Sequence, residues 1–221
     1  MKIDVNANIM ELNDAYAAKN RELFASDRML TINIMGSPGA GKTTLLERLI
    51  SDLQGKLNIA VIEGDLATAK DAKRIADCGC SVIQINTDGG CHLDAKMIDR
   101  VLPGFDLDAV DLLIIENVGN LVCPAGFDLG EDIRMVVLSV TEGDDKPAKY
   151  PGAFLAADWV VLNKMDLLEF TDFSTEKAFA DMHSINPALS TFPVCCREGH
   201  VSGVATLAEA IMTAVAKKVG K

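Results

Sequence analysis

The sequence predicts an α/β protein of three layers, with a mostly parallel central sheet flanked by helices. Two observations carry this. Short apolar runs alternate along the chain with segments of helical periodicity. The runs are largely apolar at both odd and even positions, which suits strands buried on both faces of a parallel sheet. The 221 residues are 49% hydrophobic, enough to pack one domain.

The elements follow in order. An amphipathic stretch from Ile9 to Phe24 predicts a helix, and residues 1–28 read as a helical segment packed on a domain of residues 29–221. The strand candidates are Leu30–Met35, Ile59–Ile62, Val82–Ile85, Leu112–Ile115, Met135–Val140, Trp159–Leu162 and Phe192–Cys196. Helical candidates lie at Lys42–Leu53, Ala67–Cys78, Leu93–Leu102, Thr175–Ile185 and Gly203–Lys218. No repeat, low-complexity run or Gly/Ser linker interrupts them. In such a sheet, ligands bind beyond the carboxyl ends of the strands.

Charge and composition exclude several classes. Lys and Arg number 21 against 32 acids, a net charge of −11, which repels nucleic acid and anionic lipid. No apolar run approaches the roughly 20 residues of a membrane helix. The first residues are polar and mixed in charge, unlike a signal or transit peptide, so a cytoplasmic protein is expected. In a reducing compartment the six cysteines are expected to be thiols or metal ligands.

The strand LTINIM leads into Gly36-Ser-Pro-Gly-Ala-Gly-Lys-Thr43, which opens the helix TTLLERLI. This is G-x-x-x-x-G-K-[ST] in strand–loop–helix context, so the fold expected is a three-layer P-loop NTPase. Backbone N–H groups from Gly36, Gly39, Ala40 and Gly41 through Thr44 would cradle phosphate oxygens at a helix N-terminus. Lys42 would bridge the β- and γ-phosphates, and the Thr43 hydroxyl would ligate Mg²⁺.

Asn163-Lys164-Met165-Asp166 ends the sixth run, WVVLNKMD. An N-K-x-D there suits guanine, because the Asp166 carboxylate can accept from both N1–H and the exocyclic amine, a pair of donors that adenine lacks. Unpaired against the wrong base, such a buried carboxylate discriminates by about 10⁴–10⁵. Asp65 follows the second run. Glu116 follows the fourth in ENVG, a D-x-x-G pattern with Glu for Asp and Gly119 in register. Glu116 would hold Mg²⁺ directly or through water, and Gly119 N–H would meet the γ-phosphate. Asp65 would complete the metal shell or orient the attacking water. A helix cap is the plain alternative for each acid. With no glutamine placed to position water and no evident arginine finger, slow turnover is expected.

Cys91-His92 follows the third run, and Cys123 lies seven residues beyond Glu116, so all three fall on the nucleotide side of the sheet. Thiolate and imidazole suit Zn²⁺ or Ni²⁺, although cysteine often merely fills a core. Because Cys123 shares a segment with the γ-phosphate sensor, nucleotide state would alter metal affinity. Three ligands leave a tetrahedral site one short, to be completed by water or across a two-fold interface.

Taken together, GSPGAGKTTLLE, EGDLAT, GCHLDA, IENVGNLVCPAGFDLGE, VTEGDDKP and NKMDLL resemble the HypB family, the nickel-insertion GTPases of NiFe-hydrogenase maturation. The resemblance implies a SIMIBI-class P-loop GTPase that forms a GTP-dependent homodimer. It further implies that nickel or zinc is held at the interface through Cys91, His92 and Cys123. A HypA-type metallochaperone and the precursor of a hydrogenase large subunit are the implied partners. Two departures stand out. No Cys or His precedes Cys78, so the Cys-x-x-Cys-Gly-Cys motif or histidine-rich tract of some members has no counterpart here. Where the family tends to Ser-x-Lys-x-Gly, this chain has Cys195-Cys196-Arg197-Glu198-Gly199, leaving the backbone at Cys196 for guanine O6. The urease nickel GTPase, UreG, is a weaker match because it typically carries Cys-Pro-His. A nickel or zinc store with nucleotide-regulated shape is the third reading. Gly79 reads as a helix C-cap, with Cys78 and Cys80 packing beside it. Cys195 and Cys196 are expected to continue the last strand, and Asp144-Asp145-Lys146 to form a solvated turn.

Overall fold

The computed structural model describes residues 5–65 and 70–220. Its elements are α1 (Val5–Ser26), β1 (Leu30–Met35), α2 (Lys42–Leu53), β2 (Ile59–Asp65), α3 (Lys70–Asp77), β3 (Ser81–Asn86), α4 (Ala95–Val101) and β4 (Leu112–Glu116). They continue with β5 (Ile133–Ser139), α5 (Lys146–Lys149), α6 (Pro151–Leu155), β6 (Trp159–Asn163), α7 (Thr175–Ile185), β7 (Ser190–Pro193) and α8 (Val204–Val219). The seven strands form one parallel sheet in the order β3-β2-β4-β1-β5-β6-β7. The three-layer α/β fold expected from the sequence is the fold observed.

Strand periodicity explains the apolar runs. Successive side chains point to opposite faces, so a strand covered on both sides needs apolar residues at every position. Ile114, Met135 and Val137 join the core under α2 and α8, while Leu113 and Ile115 join the core under α1 and α4. Val136 and Leu138 pack beneath α6 and α7. On β1, Leu30, Ile32 and Ile34 serve the first of these cores, but Thr31 and Asn33 on the reverse face are polar and fully buried. Asn33 Nδ2 donates to Glu131 Oε1 at 3.1 Å, and its Oδ1 accepts from Asn117 Nδ2 at 3.2 Å.

One sequence expectation is corrected. The last strand ends at Pro193 rather than Cys196, because the backbone of Cys195 pairs antiparallel with Ser202 and leaves the parallel ladder. Asp144 and Asp145 form the surface turn expected, with Asp144 paired to Lys177, Asp145 to Lys149 and Lys146 to Glu142. The short helices α5 and α6 were not expected; each has a proline in its first turn, where the missing N–H costs nothing, and each is too short to show a period. The helix expected from Ala67 is seen from Lys70, the preceding residues lying outside those described.

Helix α1 docks through polar side chains as well as Ala17 and Phe24. Asn13 accepts from Ala95 N at 3.0 Å and donates to Asp128 O at 2.8 Å. Asn20, fully buried, donates to the carbonyls of Ala95 and Leu129 at 2.9 and 3.0 Å. Arg21 grips Asp128 with two contacts of 2.8 and 2.7 Å. Asn20→Ala removes two buried hydrogen bonds that join α1 to the sheet layer and should destabilise the fold by roughly 1–3 kcal/mol. Urea unfolding measures it; an unchanged midpoint contradicts the docking energetics.

Candidate functional site

The phosphate loop leaves β1 in the centre of the sheet and turns into α2. Gly36 packs so tightly that a Cβ there would lie 2.6 Å from Val137 O. Gly41, the N-cap of α2, takes φ 94°, and a Cβ would meet Asn163 Nδ2 at 2.5 Å. Only glycine fits both demands at Gly41. The strand–loop–helix geometry thus follows from where the glycines stand.

A cavity of about 480 Å³ opens on this loop, lined by Gly39, Gly41, Lys42, Thr43 and Thr44, by Glu63 and Asp65 from β2, and by Glu116 and Gly119 after β4. Thr43 Oγ1 donates to Glu116 Oε1 at 2.8 Å, and Lys42 Nζ to Gly36 O at 3.2 Å. Gly119 lies against Pro38, closing the cavity over the loop.

Glu63 was missed in the sequence. It is 3% exposed, stands opposite Glu116 in the β2–β4 register, and both carboxyls carry a buried Oε2 without a hydrogen-bond partner. Burial, with the charges of Glu116 and Asp65 adding to it, pushes Glu63 up to about 8. Burial pushes Glu116 up to about 7, against the pull of Lys42 and the Thr43 hydrogen bond. Burial also lowers Lys42, which Glu116 opposes. The signal was present: an acid inside an apolar strand is costly to bury unless something neutralises it.

Arginine is not absent from this cavity. Arg74 lines it from α3, with its guanidinium held by Glu47 at 2.8 Å, Asp71 at 3.0 Å and the Thr44 hydroxyl at 3.2 Å.

A second cavity, of about 230 Å³, adjoins the first and is lined by Asn163, Lys164, Asp166, Cys196 and Arg197 beside Gly41 and Thr44. Asn163 Nδ2 donates to Ala40 O at 2.9 Å, and Lys164 Nζ to Gly39 O at 2.7 Å, so this motif braces the phosphate loop. Cys195 Sγ donates to Asp166 Oδ1 at 3.2 Å, and Arg197 lies 3.6 Å from Asp166 Oδ2. The family resemblance set this segment beside the base, but the contacts of Cys195 and Arg197 with Asp166 depend on the turn after Pro193.

Cys91, His92 and Cys123 converge. Their ligand atoms all lie within 4.8 Å of one another, and Cys91 Sγ is 3.5 Å from His92 Nδ1. Among the described residues no other group of three such side chains meets this spacing. Phe127 backs the imidazole, with ring centroids 3.9 Å apart. Burial lowers His92 below its usual 6.5, favouring the neutral ring that a metal needs. A hydrogen bond with Cys123 raises the Cys91 thiol. By contrast, Cys78 and Cys80 line a cavity of about 450 Å³ at the amino ends of the strands, and burial pushes Cys80 up to about 11. Gly79 beside them takes φ 84°.

The fold and these cavities define a P-loop nucleotide-binding protein with a thiol–imidazole cluster at the same sheet edge. The pattern of the family described as "CobW/HypB/UreG, nucleotide-binding domain" matches residues 30–193. The hydrogenase maturation factors HypB of Rhizobium leguminosarum bv. viciae and Escherichia coli are 52% and 47% identical to it over 197 residues each. Each alignment covers 89% of this chain, which spans 66% and 68% of those proteins. The crystal structure of HypB from Helicobacter pylori in complex with nickel superposes with a TM-score of 0.87 at 37% identity, covering 94% of this chain and 96% of that one. This chain belongs to the HypB family. No helix among the described residues is long and apolar enough to cross a membrane.

The carboxyl pair sets a pH dependence. A carboxyl raised in the folded state costs nothing below its unfolded value near 4.5 and destabilises the fold as pH climbs through about 7 and 8. Nucleotide-free protein should therefore lose stability between pH 5 and 8 by this contribution, and Glu63→Gln should flatten the loss. Denaturant midpoints across that range measure it; a variant with the parent's slope contradicts the assignment.

Proposed function

We propose that this chain is a GTP-hydrolysing metallochaperone that assists nickel insertion during NiFe-hydrogenase maturation. One observation carries the reading: a single short segment, residues 116–123, joins the two chemistries. Glu116 at its start bonds Thr43, Gly119 in its middle abuts the phosphate loop, and Cys123 at its end completes the thiol–imidazole set. The relatives, hydrogenase maturation factors and a HypB crystallised in complex with nickel, support the same reading.

In this reading Gly36 to Thr44 bind the phosphates, with Lys42 neutralising the β- and γ-oxygens. Asn163 and Lys164 hold the loop, and Asp166 reads guanine. Cys196 lends its backbone near O6 while Arg197 flanks the pocket. Thr43, Asp65 and Glu116 would hold Mg²⁺, with Glu63 beside them; the partnerless buried oxygens of both glutamates fit a divalent cation. A cation held there would supply charge neutralisation to the transferred phosphoryl group. Water attacks the γ-phosphorus, the bond to the β–γ bridging oxygen breaks, and GDP departs. Asp65, at the end of β2, is placed to complete the cation's shell or to orient the water. Arg74 is tied to two carboxylates, so turnover is slow.

Cys91, His92 and Cys123 take Ni²⁺ as cargo, or Zn²⁺ in its place, and nucleotide state tunes its hold. A HypA-type chaperone donates or receives the ion, the large-subunit precursor is the client, and GTP favours a homodimer. A cytoplasmic site of action belongs to this reading. GTP turnover in dimeric protein tests the reading, since a pure metal store has none.

Two outcomes are expected. Asp166→Asn should weaken GTP at least about tenfold and shift preference toward xanthosine nucleotides, because one acceptor becomes a donor. Competition binding measures it, and equal affinity of the unmodified chain for ATP and GTP contradicts the guanine assignment. Cys123→Ser should abolish stoichiometric nickel binding in equilibrium dialysis while GDP affinity stays within about twofold. Retained nickel binding would remove Cys123 from the site.

A further inference from the structure

Beyond Glu116 the chain is stitched to the phosphate loop. Asn117 N donates to Ile34 O at 2.9 Å, and Asn120 forms an isolated antiparallel bridge with Gly36, the first glycine of the loop. The side chain of Asn120 then divides its bonds. Its Nδ2 donates to the carbonyl of Cys91 at 3.2 Å, and its Oδ1 accepts from Val122 N at 2.9 Å, immediately before Cys123. One half-buried residue thus contacts the phosphate loop, the Cys91 segment and the Cys123 segment.

Asn117 works differently. It is 1% exposed, and its Oδ1 accepts from Leu93 N at 3.1 Å and Val118 N at 3.0 Å. Its Nδ2 is held by Asn33, which is held in turn by Glu131, whose carboxylate also takes Leu129 N at 2.7 Å and Arg134 Nε at 2.7 Å. Leu93, the residue after His92, is therefore pinned to the core of the sheet. Cys91, the residue before His92, is attached instead to the segment that abuts the phosphate loop. Movement of residues 119–120 displaces Cys91 against a fixed Leu93, which changes the spacing of adjacent ligands.

We propose that Asn120 is the positioning residue that carries nucleotide state to the metal cluster, with Asn117 as its fixed pivot. This rests on the proposed coupling of nucleotide and metal, and it assigns that coupling to a side-chain amide rather than to Cys123 alone. The alternative, a merely structural Asn120, changes metal affinity equally in every nucleotide state. The difference between states is therefore the discriminating quantity.

The test uses the full chain and Asn120→Asp, which keeps an acceptor for Val122 N but loses the donor to Cys91 O. Asn120→Ser is the second variant, should the added charge disturb folding. Ni²⁺ is titrated in the presence of GDP and of a nonhydrolysable GTP analogue, read by the thiolate-to-nickel charge-transfer band. The unmodified protein should show affinities that differ by about 5–150-fold between the two states. Both variants should retain the band while that ratio falls to within about twofold. A variant that keeps the full ratio, or that weakens nickel equally in both states and so preserves it, overturns the role of Asn120 alone. A ratio of one in the unmodified protein overturns the coupling itself, and this inference with it.

Discussion

The parallel pairing of β1 with β4 governs the site. Ile34 stands opposite Glu116, so the two strands leave the sheet at the same level. From that shared edge one chain becomes the phosphate loop and the other the segment leading to Cys123. The Thr43–Glu116 hydrogen bond and the Gly36–Asn120 bridge both follow from this register. In a strand the side-chain period is two, so a slip of one residue would turn Glu116 to the opposite face and remove it from Thr43.

This edge concentrates charge that the rest of the fold avoids. Glu63, Glu116 and Lys42 are each buried, and each is pushed toward its neutral form. A buried ion without compensation costs several kcal/mol, so such a cluster is tolerable only where counter-charge arrives with a ligand. The surrounding strands are hydrophobic on both faces and supply the stability against which this strain is held. The fold and the site are therefore one energetic system, in which a stiff apolar sheet holds charges poised for phosphate and cation.

Much of this was legible in the sequence because local rules and tertiary structure agree. The glycine spacing of residues 36–41 has one backbone solution, and Lys42–Leu53 carries a clean helical period, so loop and helix appear where expected. The placing of Cys91, His92 and Cys123 on one side of the sheet followed from setting each motif at a strand's carboxyl end, whereas the strand order is seen only in the fold. What escaped notice depends on contacts between distant residues. Glu63 looks like strand filler until its register partner is known to be Glu116. Arg197 and Cys195 reach Asp166 only because Cys195 pairs with Ser202 across a tight loop. Asn33, Asn117 and Asn120 form no motif, since an amide's partners are set by folding rather than by spacing.

The docking of α1 has a mechanical consequence. Asn13 and Asn20 hold Ala95 together with Asp128 and Leu129, and Arg21 holds Asp128 again. These anchors lie just downstream of His92 on one segment and of Cys123 on the other. Each segment that carries a thiol of the cluster is consequently a short span fixed at both ends, to the sheet on one side and to this helix on the other. A short clamped span transmits displacement instead of dissipating it. A displacement of the phosphate loop would have no slack downstream in which to relax, and the thiols lie between the clamps.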